Sequence, residues 1–181
     1  TTRKVIFTSS MRLEVPELRN AYLEIGQLTR SLGGFVADSS IDDSGGDDST
    51  ASIRLRVPAS RHDELLGALR TFGGGRVLKE STTATEVTEE YTDVQSRLRN
   101  LERAEAQYQE LLKQARTVDE ILNVQSRLDS VRAQVEQAKG RMNLLDSQID
   151  FATVSLALSL PGSSAGEGIP GPDEVFGDAW D

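Results

Sequence analysis

The chain has 181 residues, of which 37% are hydrophobic and 5% aromatic, and its formal net charge is −9. An acidic chain with no basic run repels phosphate backbones, which argues against nucleic-acid binding. It has no cysteine, so disulfides, thiolate metal sites and cysteine nucleophiles are excluded. No run of about 18 apolar residues is present to span a bilayer.

An internal repeat organises the first 80 residues or so. Met11-Arg12-Leu13-Glu14-Val15-Pro16 matches Ile53-Arg54-Leu55-Arg56-Val57-Pro58, and each copy leads into a helical pattern, a glycine cluster and a second extended run. Val5, Phe7, Met11, Leu13 and Val15 alternate along the first strand, with Ser9 among them. Leu18, Tyr22, Ile25, Leu28 and Leu32 form the stripe of a first helix. Gly33 and Gly34 stand where that helix needs a left-handed stop. Ala51, Ile53, Leu55 and Val57 share one face of a later strand, opposite Ser52, Arg54 and Arg56. Leu65, Leu66, Leu69 and Phe72 mark a second helix, Ser60 with Asp63 resembles a capping box at its start, and Gly73 to Gly75 end it. The order β-α-β-β-α-β predicts an α+β fold, a ferredoxin-like split β-α-β antiparallel sheet with two helices on one face.

From about residue 87 the period changes. Tyr91, Val94, Leu98, Leu101, Glu105, Tyr108, Leu112 and Ala115 recur at alternating steps of three and four. Ile121, Val124, Leu128, Val131, Val135, Ala138, Met142, Leu145 and Ile149 repeat the pattern. These heptads predict a long antiparallel coiled-coil hairpin with arms of roughly 40–45 Å. Thr117 and Glu120 form a capping box that restarts the helix after the turn. Ala152, Val154, Leu156, Leu158 and Leu160 then alternate as a final strand returning to the sheet. The expected domains are an α+β sheet domain over 3–86 plus 150–160, a hairpin insertion over 87–149 and a Gly-, Ser- and Pro-rich juxtamembrane-type linker over 161–181. Within that linker, Val175, Phe176 and Trp180 allow a short helix.

Four stretches together resemble a bacterial family known as domain of unknown function 4349. They are Arg54 to Pro58, the run from Glu86-Val87-Thr88-Glu89-Glu90-Tyr91 into Asp93-Val94-Gln95-Ser96-Arg97-Leu98-Arg99-Asn100, Thr117 to Gln125, and Val131-Arg132 followed by Ala152-Thr153-Val154. The resemblance covers roughly Arg3 to Leu160. It implies a membrane-anchored protein with an N-terminal signal or lipoprotein segment and a transmembrane helix after the domain. The domain itself is then extracytoplasmic, and this chain is its soluble ectodomain. The family supplies no catalytic residues to carry over.

Site signals are sparse. Asp38, Asp42, Asp43, Asp47 and Asp48 gather around one turn, but no glutamate closes a twelve-residue calcium loop, so a solvated hairpin turn is expected over weak calcium binding. His62 is the only histidine, stands beside Asp63 and Glu64, and is expected at the surface. Gly73-Gly74-Gly75-Arg76 lacks the Gly-Lys-Ser/Thr of a phosphate loop. Gly162-Ser163-Ser164-Ala165-Gly166 lies in a linker rather than a strand-to-helix turn, so it is no nucleophile elbow. Glu105 occupies a seam position and is expected to reach solvent or to pair with Arg127 or Arg132, in preference to selecting the register as a buried polar group. Leu111, Leu122 and Leu144 flank the seams and widen the apolar stripe, which either recruits a further helix or simply covers the seam flanks. The expected function is a non-enzymatic, extracytoplasmic interaction or scaffold domain, without cofactor or metal. Its contact residues are placed at the hairpin tip: Gln114, Arg116, Thr117, Val118, Asp119 and Glu120. The partner is a protein or a second copy of the chain. A ligand or cation sensor is the alternative, and a hydrolase ranks last for want of a nucleophile-base pair.

Overall fold

The structure, a computed structural model, describes residues 2–43 and 45–163. The elements in order are β1 (Val5–Glu14), α1 (Leu18–Ser31), β2 (Phe35–Asp42), β3 (Thr50–Pro58), α2 (His62–Arg70), β4 (Arg76–Glu86), α3 (Thr88–Gln114), α4 (Val118–Asp150) and β5 (Phe151–Ser159). They form two compact units: a sheet unit over Ile6–Thr85 with β5, and a helical unit over Glu86–Ile149 with the residues before Ile6.

The sheet unit is a mixed α+β structure with a five-stranded, mostly antiparallel sheet in the order β2-β3-β5-β1-β4. In a four-stranded split β-α-β sheet β1 and β3 are neighbours; here β5 stands between them, parallel to β1 and antiparallel to β3. The register runs Thr8 to Thr153 and Leu13 to Leu158 on one side of β5, and Ile53 to Leu156 and Val57 to Ala152 on the other. The sequence explains why β5 tolerates this place. Ala152, Val154, Leu156 and Leu158 are buried on the helix-covered face, while Thr153, Ser155, Ala157 and Ser159 are half-buried on the other. A strand with both edges bonded also has every backbone donor and acceptor in a ladder.

The core is one cluster. Met11, Leu13 and Val15 of β1, Ile53, Leu55 and Val57 of β3, and the buried half of β5 meet Leu18, Ala21 and Ile25 of α1 and Leu65, Leu66 and Leu69 of α2. Only one face of the sheet contributes to it, as the two-residue alternation predicts. The stop after α1 also follows expectation. Gly33 has φ 81° and donates to Arg30 O at 3.0 Å. Gly34 passes so close to β3 that an added Cβ would stand 2.3 Å from Arg56 O. The start of α2 does not follow expectation. A 3₁₀ turn occupies Ala59–Arg61, Arg61 takes the N-cap place, and no side chain caps the helix. Ser60 and Asp63 therefore form no capping box.

In the helical unit the heptad positions are shielded, except Ile121, which is exposed. On α3, Tyr91, Val94, Leu98, Leu101, Glu105, Tyr108, Leu112 and Ala115 are all half-buried; on α4, Leu128, Val135, Ala138 and Leu145 are buried and Val124, Val131, Met142 and Ile149 half-buried. Cross-links pair early residues of α3 with late residues of α4, so the helices run antiparallel. The Tyr91 hydroxyl donates to Asp146 at 2.8 Å, Arg141 pairs with Glu90, and Arg132 Nε donates to Glu105 at 3.2 Å. Glu105 thus takes Arg132 rather than Arg127. The start of α3 is tied to the chain preceding β1: Val87 N–H donates to Lys4 O, Lys4 N–H to Thr88 Oγ1, and the Lys4 ammonium lies 4.8 Å from the Tyr91 ring centroid. No helix among the described residues is long and apolar enough to cross a membrane. The expected linker lies, from residue 164 onward, outside the described residues, and so do Val175, Phe176 and Trp180.

Candidate functional site

The connection between α3 and α4 is short and tightly capped. Thr117 Oγ1 accepts from Glu120 N–H at 3.2 Å, while Glu120 Oε2 accepts from the Arg116 and Thr117 N–H groups at 3.0 and 3.3 Å. This is the reciprocal capping box expected from the sequence. Those backbone donors hold the Glu120 carboxyl below its ordinary value of 4.5. The first turn of α4 is capped but exposed: Val118 is 71% exposed, Leu122 61% and Ile121 41%. Ile121 continues the α4 seam, yet α3 ends at Gln114 and shields it only in part. On α3, Leu111 is 49% exposed. Arg116 and Asp119 point to solvent, and Lys113 pairs with Glu110 at 2.9 Å. All six residues named from the sequence, Gln114 and Arg116 to Glu120, therefore lie within one exposed stretch. Thr117 and Glu120 build its cap, and Val118 supplies apolar surface beside it.

A second constellation lies in the sheet unit. His62, expected at the surface, is 2% exposed. Its position at the start of α2 turns the ring inward against β1, where it stacks on Phe7 with centroids 5.4 Å apart. Ser9 Oγ lies 2.7 Å from His62 Nε2 and 2.8 Å from Thr82 Oγ1, and Asp63 Oδ1 lies 3.2 Å from His62 Nδ1. One assignment satisfies every group: Nδ1–H donates to Asp63, the Ser9 hydroxyl donates to Nε2, and Thr82 donates to Ser9. The chain Thr82–Ser9–His62–Asp63 therefore clasps β4 and α2 to β1. Ser9 could have been found from the sequence. It is a polar residue on the apolar face of β1, and a buried hydroxyl requires a partner. The partner itself was not readable, because the pairing spans strand β1 and helix α2.

These residue types match a serine nucleophile, a base and an orienting carboxylate, but the exposures are inverted. A nucleophile must meet substrate, whereas Ser9 is 1% exposed and held by two partners. The orienting carboxylate of a triad is buried, whereas the Asp63 side chain is fully exposed. The geometry is that of a structural clasp. Next to it, Arg70 holds the Glu80 carboxyl below its ordinary value and is itself raised by that bond.

The acidic turn does not converge. Asp38 and Asp42 belong to β2, Asp43 accepts from the Ser49 hydroxyl at 3.3 Å and pairs with Arg19 at 3.8 Å, and no cluster of three or more potential metal ligands occurs among the described residues. Gly73 to Gly75 follow α2 as its stop, with Gly74 at φ 74°.

A family model described as "Domain of unknown function (DUF4349)" matches residues 3–181. No curated protein and no solved structure matches the chain.

Proposed function

The chain belongs to the DUF4349 family, and from that premise we propose that it is a non-enzymatic interaction or scaffold domain on the extracytoplasmic side of a membrane-anchored bacterial protein. The sheet unit is read as a ferredoxin-like frame extended by one strand. The α3–α4 pair is a coiled-coil hairpin, and its capped end is the contact surface. One observation carries this reading: Val118, Ile121 and Leu122 stand uncovered on a helix turn held rigid by the Thr117–Glu120 cap. Apolar side chains exposed together on one helical turn offer surface that a partner can cover. The capping box supplies preorganisation, which lowers the ordering cost of binding.

The test is a photo-reactive amino acid at position 118 in the full-length protein in cells. Crosslinked adducts are expected, and Leu122→Glu should abolish them without changing the abundance of the protein. Absence of any adduct, or adducts indifferent to Leu122→Glu, would overturn the reading.

A ligand or cation sensor is the second reading. Support for it comes from the sheet face away from the helices, where Thr153, Ser155 and Ser159 of β5 and Ser10 of β1 line up beside Arg54 of β3. Thermal shift with calcium or cell-wall fragments tests it, since a ligand that binds only the folded state raises the midpoint as its concentration passes the dissociation constant.

A further inference from the structure

We propose that the Thr82–Ser9–His62–Asp63 chain is a reversible proton-accepting clasp: His62 takes up a proton where it lies, the two hydroxyls turn over, and β1, β4 and α2 stay joined as the surroundings acidify. This stands apart from the interaction reading above and does not depend on it. A buried imidazole ordinarily resists ionisation, because the charge is cut off from water and the ring gains a donor that needs an acceptor. His62 is 2% exposed and Ser9 1%, so neither can turn to water for a partner. The remedy lies in the residue types along the chain. A hydroxyl both donates and accepts, whereas a carboxylate accepts only.

With the ring neutral, Nδ1–H donates to Asp63, Ser9 donates to Nε2 and Thr82 donates to Ser9. With the ring charged, Nε2–H donates to Ser9, Ser9 donates to Thr82, and Thr82, which is exposed, donates to water. The same distances serve both directions: 2.7 Å from Nε2 to Ser9 Oγ and 2.8 Å from Ser9 Oγ to Thr82 Oγ1. Only hydrogens move, and every polar atom of the chain stays bonded in either state. The charge is met as well. On α2, Asp63 Oδ1 lies 3.2 Å from Nδ1. On β4, the Glu80 carboxyl is held below its ordinary value chiefly by its bond to Arg70, with a smaller contribution from charge on His62. The neighbouring cations are engaged elsewhere: Arg61 pairs with Glu64 at 3.1 Å and Arg70 with Glu80. From β1 the ring meets Phe7 and Ser9, neither of them charged.

Urea denaturation of the whole chain at about pH 8 and at about pH 5 tests this. Thr82→Val keeps the shape and strand preference of an exposed residue but removes the hydroxyl that receives from Ser9 in the charged state. The unfolded chain takes up the proton whichever residue stands at 82, so a folded state that has lost its acceptor falls behind as pH drops. The folding equilibrium constant of Thr82→Val, relative to the wild type, should therefore fall by about tenfold between the two pH values. Thr82→Ser, which restores the hydroxyl, should show no such fall. Asp63→Asn still accepts from Nδ1–H but carries no charge. It should fall in the same direction by a smaller factor, because its side chain is fully exposed and its attraction screened. The chain has one histidine, so its ring signals in the folded protein report whether the proton has been taken up at about pH 5. A ring that stays neutral there, a relative cost of Thr82→Val equal at both pH values, or a Thr82→Ser variant that behaves as the valine variant does would each overturn the proposal.

Discussion

Ser9 and His62 each protect the other from the consequences of burial. Ser9→Ala leaves the buried His62 Nε2 without its hydroxyl partner, while the exposed Thr82 turns to water, and it should lower stability by about 1–3 kcal/mol. His62→Ala adds a cavity beside Phe7 and should cost about 2–5 kcal/mol. Urea denaturation checks both; a loss below half a kilocalorie for either would show that the clasp holds nothing. Glu120 makes a different kind of contribution. Its folded carboxyl titrates below the ordinary 4.5 because two backbone N–H groups bond the charged form. A depressed carboxyl adds stability above its unfolded value and loses it as pH falls through the folded one. The thermal midpoint of the wild type should therefore exceed that of Glu120→Gln at pH 7, and the gap should close as pH falls below 4.5. A gap independent of pH would mean that the charge plays no part in the cap.

Within α3 and α4, shielding separates positions that look alike in sequence. Leu128 and Leu145 are buried, whereas Leu122 and Leu144 are exposed. Leu128→Ala or Leu145→Ala should cost about 2–5 kcal/mol in denaturant melts followed by helical circular dichroism. Leu122→Ala should stay within about 0.5 kcal/mol. Equal losses at all these sites would mean that the seam does not carry the pairing. Both the seam and its cap were legible because their signals are local. A three-and-four spacing fixes a helix face, and Thr117 reaches Glu120 within one turn. The faces of β1, β3 and β5 were legible for the same reason. Three features were not. Ser60 and Asp63 have the spacing of a capping box, but the 3₁₀ turn after Pro58 moves the helix start to His62. His62 was assigned to the surface because nothing in its neighbourhood along the chain names Ser9. The place of β5 was hidden most deeply, since alternation says that a strand is half-covered and nothing about which strands lie beside it. The connection between α3 and α4 was legible as a place, while its exposure required coordinates.

At the scale of the molecule the two units divide the labour of the sequence. Low aromatic content and a modest apolar fraction fit a chain in which α3 and α4, together 60 residues, shield narrow stripes rather than a broad core. Replacing residues 99–132 by a short glycine-rich turn should therefore leave the sheet unit folded, with near-native strand signals and a cooperative melt. Loss of the sheet on that change would show that its core depends on the helical unit. The order of the strands has a further consequence for how this protein is made. Because β5, the last strand among the described residues, occupies the middle of the sheet, β3 and β1 each have an edge that stays unpaired until this late segment is made. Until residue 159 emerges neither edge can close, and the nascent chain must keep Thr8 available for Thr153 across nearly its whole length. A gene stopped after Asp150 should thus yield an aggregating product rather than a trimmed domain, and a synthetic peptide of Phe151–Ser159 supplied during refolding should rescue it.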